Sequence, residues 1–95
     1  MRDKAKAIIQ VDNKLIRVTK YVFSPGAETG IHKHTMDYIV TPITDGNLLL
    51  IDIDGNNSYA TLISSETYYR KAGVTHNVIN NGKKDIVFVE TEIKK

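Results

Sequence analysis

Residues 26–34, Gly-Ala-Glu-Thr-Gly-Ile-His-Lys-His, and residues 72–78, Ala-Gly-Val-Thr-His-Asn-Val, decide how this chain is read. Together they hold all 3 of its histidines, His32, His34 and His76. Side chains alternate along a β-strand, so two histidines at i and i+2 point to the same face. A third histidine about forty residues later can meet them only if the sheet closes back on itself. The chain has no cysteine, which leaves nitrogen and oxygen donors as the only route to a transition-metal site. The spacing suggests a metal site inside a small barrel.

The sequence on either side agrees. Short runs of β-branched and aromatic residues separated by turn signals fill the chain: 7–11, 15–23, 37–43, 48–53, 58–63, 67–71, 75–79 and 86–93. Asp12-Asn13, Ser24-Pro25-Gly26, Asp45-Gly46, Asp54-Gly55-Asn56-Asn57 and Asn80-Asn81-Gly82 punctuate them. Residues 27–30 form a loop that leads into the histidine strand. No segment keeps apolar residues at i, i+3, i+4 and i+7 over three turns, so no long helix is expected. Strands recurring about every ten residues indicate an all-β antiparallel sandwich or barrel. Pro42 cannot donate to a ladder and marks an edge or a bulge.

Ninety-five residues suffice for one core, and a single domain over residues 1–95 is expected. The 13 basic and 11 acidic residues are dispersed, leaving a net charge of +2 and only Lys83-Lys84 and Lys94-Lys95 as basic pairs. No nucleic-acid partner is expected from that distribution. No apolar run approaches the roughly 20 residues of a membrane span, and the start, Met-Arg-Asp-Lys-Ala-Lys, does not open a signal peptide. With no cysteine to oxidise, the expectation is a cytoplasmic protein away from membranes.

Two stretches resemble the paired motifs of the cupins. The first cupin motif runs glycine, five residues, His-x-His, three or four residues, glutamate, six residues, glycine; Gly26, His32-Lys33-His34 and Gly46 stand in that register. The second runs glycine, five residues, Pro-x-Gly, two residues, histidine, three residues, asparagine. Ser65, Lys71-Ala72-Gly73, His76 and Asn80 reproduce it, with serine and lysine replacing a glycine and the proline. Residues 47–64 form the short connection of a compact single-domain cupin.

The resemblance implies a single antiparallel β-barrel of the jelly-roll, or double-stranded β-helix, type. It also implies one divalent transition metal (Fe, Mn, Ni, Zn or Cu) on His32, His34 and His76 in the barrel mouth. The glutamate ligand is missing. Counting from Gly46 puts Ile39 in its place, counting from His34 puts Tyr38 there, and strand parity also favours Tyr38. Asp37 is the alternative if a bulge in Thr35-Met36 or near Pro42 turns it inward. Without a carboxylate ligand the ion keeps its full positive charge, which favours an anionic partner.

Tyr38 and Arg70 are the candidates for catalysis or substrate orientation, Tyr38 through its hydroxyl and Arg70 by bidentate pairing with a carboxylate. Tyr68 and Arg70 share one strand face and Tyr69 takes the other. Arg17 is a lesser possibility, and Glu90 and Glu92 are expected to be exposed. Asp54-Gly55-Asn56-Asn57 lacks the acidic positions of a calcium loop and reads as a turn. No serine stands in a nucleophile-elbow context. The leading expectation is a metal-binding cupin that takes a small, anionic organic ligand. The alternatives are a metal-dependent dioxygenase, isomerase or lyase, and a barrel with an empty site. The short apolar strand at 7–11 would leave an unpaired edge, so a homodimer is expected.

Overall fold

The alternation in those segments appears directly in the computed structural model, which describes residues 2–95. The strands are β1 (Lys6–Asp12), β2 (Ile16–Phe23), β3 (His32–Lys33), β4 (Asp37–Pro42), β5 (Gly46–Asp52), β6 (Asn57–Leu62), β7 (Tyr68–Arg70), β8 (Thr75–Asn80) and β9 (Ile86–Ile93). They pair as two antiparallel sheets, β1-β2-β9-β4-β7 and β3-β8-β5-β6. There is no helix among the described residues, so none is long and apolar enough to cross a membrane. The architecture is an all-β jelly roll, a double-stranded β-helix.

Strand β9 shows why the sheets close over a core. In Ile-Val-Phe-Val-Glu-Thr-Glu-Ile, residues Ile86, Phe88 and Glu90 are buried and alternate with half-buried neighbours. Opposite them on β2, Phe23 pairs with Ile86, Tyr21 with Phe88, Thr19 with Glu90 and Arg17 with Glu92. The inner face therefore grades along one direction from apolar to polar. The apolar end holds Phe23, Leu48, Leu62 and Ile86, with Phe88 stacked between Tyr21 at 5.3 Å and Phe23 at 5.6 Å. The polar end holds the histidines. Phe23 is fully buried, and truncating such a ring costs about 3–5 kcal/mol through lost burial and a residual cavity. Phe23→Ala is expected to lower the unfolding free energy in urea by that amount, and a change within 1 kcal/mol would mean that this end of the barrel is loosely packed.

Asn80 closes the apolar end. It is fully buried, its Nδ2 donates to Phe23 O at 3.1 Å and Lys84 O at 2.8 Å, and its Oδ1 accepts from Gly82 N at 3.0 Å. The asparagine of the second motif is thus a strut between loops. Ser65 has φ +66°, in the left-handed region where a side chain is strained and glycine is not. That backbone explains why the cupin pattern has a glycine there.

Two expectations change. The histidine strand is only two residues long, and His34 lies beyond it, held by backbone bonds from His34 N to Val74 O (2.9 Å) and from Gly73 N to His34 O (2.7 Å). Pro42 marks neither a bulge nor an edge strand: β4 runs in unbroken register from Asp37↔Ile93 to Pro42↔Phe88 between β9 and β7. It is tolerated because it ends β4, past Val40↔Tyr68, the last pair with β7.

Candidate metal centre

His32 on β3 and His76 on β8 are direct cross-strand partners, and the turn after β3 swings His34 in beside them. The Nε2 atoms of His32 and His34 lie 3.0 Å apart, and those of His34 and His76 3.1 Å apart. One ligand atom from each of the three histidines falls within 4.8 Å of the others. His32 Nδ1 lies 2.9 Å from Gly30 O, which can only accept, so Nδ1 carries the proton and Nε2 keeps its lone pair. The Gly30 turn is itself pinned: Gly30 N donates to Asn77 Oδ1 at 2.9 Å, and Asn77 Nδ2 donates to Glu28 Oε1 at 2.7 Å.

Burial, reinforced by the neighbouring imidazoles, lowers the pKa of His34 to about 4. His76 falls to about 4 as well, through burial and the presence of His32. Both rings are neutral at physiological pH, the state in which imidazole binds a metal. Nitrogen lone pairs facing one another at such distances are favourable only with a proton or a cation between them. Two nitrogens 3.0–3.1 Å apart, each roughly 2.1 Å from one ion, subtend about 90°, the angle between ligands on one face of an octahedral shell. The donor set of three neutral imidazoles fits a divalent transition metal, which His32, His34 and His76 could hold together.

That cavity, about 190 Å³, is walled by Tyr21, Tyr38, Leu50, Tyr68 and Phe88, with Arg70 and Lys71 also lining it. Tyr38 stacks on the His34 ring with centroids 4.1 Å apart and planes inclined by 19°. Burial, followed by the negative charge of Glu90, pushes the Tyr38 phenol up to about 12. It stays a neutral donor, unsuited to serve as a phenolate ligand. Arg70 is exposed, with its guanidinium carbon 4.4 Å from the centre of the Tyr68 ring.

Asp37 is not brought to the histidines. With no bulge in β4 it faces away from Tyr38, accepting from the Tyr69 hydroxyl at 2.5 Å and from Ala72 N at 2.8 Å. The Tyr69 hydroxyl, Ala72 N–H and Lys95 hold its carboxyl at about 2. The inward-turning bulge considered for Asp37 is absent. Arg17 is engaged by Glu92 at 2.9 Å and is not among the cavity residues.

The expectation that Glu90 is exposed is overturned. It is 5% exposed and lines the cavity, with Oε1 3.3 Å from His34 Nδ1 and no hydrogen bond to that oxygen. Burial, then the charge of Glu92, raises its pKa to about 7 against smaller opposing effects of Tyr21 and Arg17. The signal was present in the sequence: Glu90 shares the parity of Ile86 and Phe88, whose inward direction the apolar pattern of β9 indicates.

Comparison with known proteins agrees with this architecture. No family model matches the chain. It is 53% identical over 93 residues to the β-alanine degradation protein BauB of Pseudomonas aeruginosa, covering 98% of this chain and 97% of that one. It superposes with TM-score 0.95 and 45% identity on the crystal structure of a cupin domain from Bordetella pertussis Tohama I, covering 100% and 98% of the two chains. An RmlC-like cupin of double-stranded β-helix fold from Methanocaldococcus jannaschii shares that fold at TM-score 0.78 and 13% identity, over 97% and 82% of the chains. The chain is a small cupin and belongs to the family of BauB.

Proposed function

We propose that this cupin holds one divalent transition metal on His32, His34 and His76 and binds a small carboxylate in the cavity above it. The observation that carries the reading is the convergence of the imidazole Nε2 atoms at 3.0–3.1 Å. When bound, the ion would supply a Lewis-acid centre for an anionic ligand. The chain supplies the rest. Arg70 and Lys71 line the cavity as cations, against Glu90 as its single acid. Tyr68 lies under the Arg70 guanidinium, whose Nη1 donates to Tyr69 O at 3.0 Å and whose remaining donors could pair with a carboxylate. Tyr21, Tyr38 and Phe88 give the cavity an aromatic wall.

The name of the BauB relative refers to degradation of β-alanine, a three-carbon amino acid with one carboxylate. The carboxylate that β-alanine shares with the small acids formed from it suits the Arg70 and Lys71 cations, and molecules of three carbons suit a cavity of about 190 Å³. Calorimetric titration with Mn, Fe(II), Ni and Zn should give one ion per chain. A following titration with β-alanine and other three-carbon carboxylates should show binding weakened about tenfold or more in Arg70→Ala, the loss expected for a charge-assisted hydrogen bond, with metal uptake unchanged. A chain that takes up none of these metals overturns the proposal. A dioxygenase, isomerase or lyase would use the same metal centre, and oxygen uptake or product formation with the acids that bind separates turnover from binding.

A homodimer formed through β1 is proposed alongside. β1 is the outer strand of its sheet, is exposed throughout, and displays Ile8, Ile9 and Val11. Pairing with a second copy would cover both the free backbone groups and the apolar side chains. Light scattering at tens of micromolar should give the dimer mass, and a monomer mass would refute it.

A further inference from the structure

We propose that Glu90 is a positioning residue for His34: its Oε1 accepts the proton on His34 Nδ1 and so keeps the Nε2 lone pair turned toward the metal. The inference rests on the metal-centre reading above. Each histidine must present an unprotonated Nε2, and a neutral imidazole has one proton to place on one of two nitrogens. The backbone solves this for His32, because Gly30 O holds the Nδ1 proton at 2.9 Å. Among the described residues, no backbone carbonyl is hydrogen-bonded to His34 Nδ1. What faces it is the Glu90 carboxyl, whose Oε1 lies 3.3 Å away, within hydrogen-bond distance but not aligned with the ring N–H direction, so that a small rotation of either side chain would complete the bond.

The partners of Glu90 point the same way. Oε1 is buried and has no hydrogen bond, and an orphaned buried acceptor is costly. The nitrogen paired with it in the structure is His34 Nδ1. Placing the proton there satisfies the carboxyl and frees Nε2 in one contact. Tyr38, stacked on the His34 ring with centroids 4.1 Å apart, limits rotation of the ring out of its plane. The positioning elements thus come from β4 and β9 of one sheet, while His32 and His76 come from β3 and β8 of the other.

This arrangement gives the missing cupin glutamate a substitute of a different kind. The carboxyl lies beside the histidines without being one of the converging donors, so it would supply a hydrogen-bond acceptor and negative charge behind His34. A carboxylate behind a metal-binding histidine typically contributes 10- to 100-fold in metal affinity.

The test is the imidazole proton map of the metal-free wild type at pH 7.5, read from two-bond nitrogen–proton correlations on histidine-labelled protein. His34 should be protonated on Nδ1. In Glu90→Leu that preference should be lost and the dissociation constant for Ni or Mn should rise 10- to 100-fold. Glu90→Gln keeps a carbonyl acceptor in the same place and should restore both readouts to within a few-fold of wild type, which a purely space-filling role would not require. Wild-type His34 protonated on Nε2 overturns the proposal, as does a Leu variant with unchanged tautomer and affinity. If the Leu variant does not fold, the wild-type map and the Gln variant decide. If the chain binds no metal, the proton map still tests Glu90 while the metal reading alone fails.

Discussion

His76→Ala is expected to weaken metal binding more than about a hundredfold, beyond the range for loss of an outer-shell partner, while Asp37→Ala leaves it within experimental error. His76 is one of three converging nitrogens and sits 3.1 Å from its neighbour on His34. Asp37 lies on the opposite face of β4, tied to Tyr69 and Ala72. A hundredfold loss at fixed saturating metal removes about 2.7 kcal/mol of metal-dependent stabilisation, because an ion bound only by the folded chain adds RT ln(1 + [L]/Kd). The two variants should therefore separate in a melting experiment. His76→Ala should lose most of its metal-induced shift. Asp37→Ala should melt lower with and without metal, having lost its ties to Tyr69 and Ala72, yet keep the shift. Equal losses of affinity in a direct titration would mean that Asp37 reaches the ion.

The contrast between these residues shows what was legible in the sequence. The spacing of the histidines and the apolar alternation around them are local properties, and they carried the barrel and the convergence of His32 with His76. Parity also placed Tyr38 inward and put Tyr69 on the face opposite Tyr68 and Arg70, because β4 and β7 hold their pleat without interruption, while which of those faces lines the cavity is set only by the fold. The extent of β3 was not legible. Its two residues are set by pairing with β8, a long-range contact with no local mark beyond Gly30 and Gly73. Glu90 was misread for a related reason. A lone glutamate in a strand is usually solvated, and its tolerance inside depends on what the other sheet brings opposite it. Only the folded chain sets His34 Nδ1 against that carboxyl. Arg17 and Glu92 follow the same logic at the rim, where their ion pair keeps both inward-facing groups satisfied.

The rise in melting temperature given by saturating metal is expected to persist from pH 7.5 down to about pH 5.5 and to collapse toward pH 4. Three solvated histidines would release their ion between pH 7 and pH 5, since unperturbed imidazoles titrate near 6.5. Burial moves His34 and His76 to about 4, so protons compete with the metal for these two rings only well below neutrality. The same shifts act on the metal-free chain with a definite sign. Their folded-state values lie below the unfolded 6.5, so the stability they contribute is fully present above pH 6.5 and is lost as the pH falls through 4, by at most about 3 kcal/mol for each ring. Glu90 works in the opposite direction. Its folded value, about 7, lies above 4.5, so its contribution is present below pH 4.5 and is lost as the pH rises through 7. Two rings outweigh one carboxyl, so the metal-free protein should be most stable at about pH 6.5–7, and Glu90→Gln should steepen its loss of stability between pH 6.5 and pH 4.5. Melting at pH 4.0, 5.5 and 7.5, with and without metal, checks both statements. A metal-induced rise already gone at pH 6 would mean that His34 and His76 are solvated, and one undiminished at pH 4 would mean that imidazoles do not hold the ion.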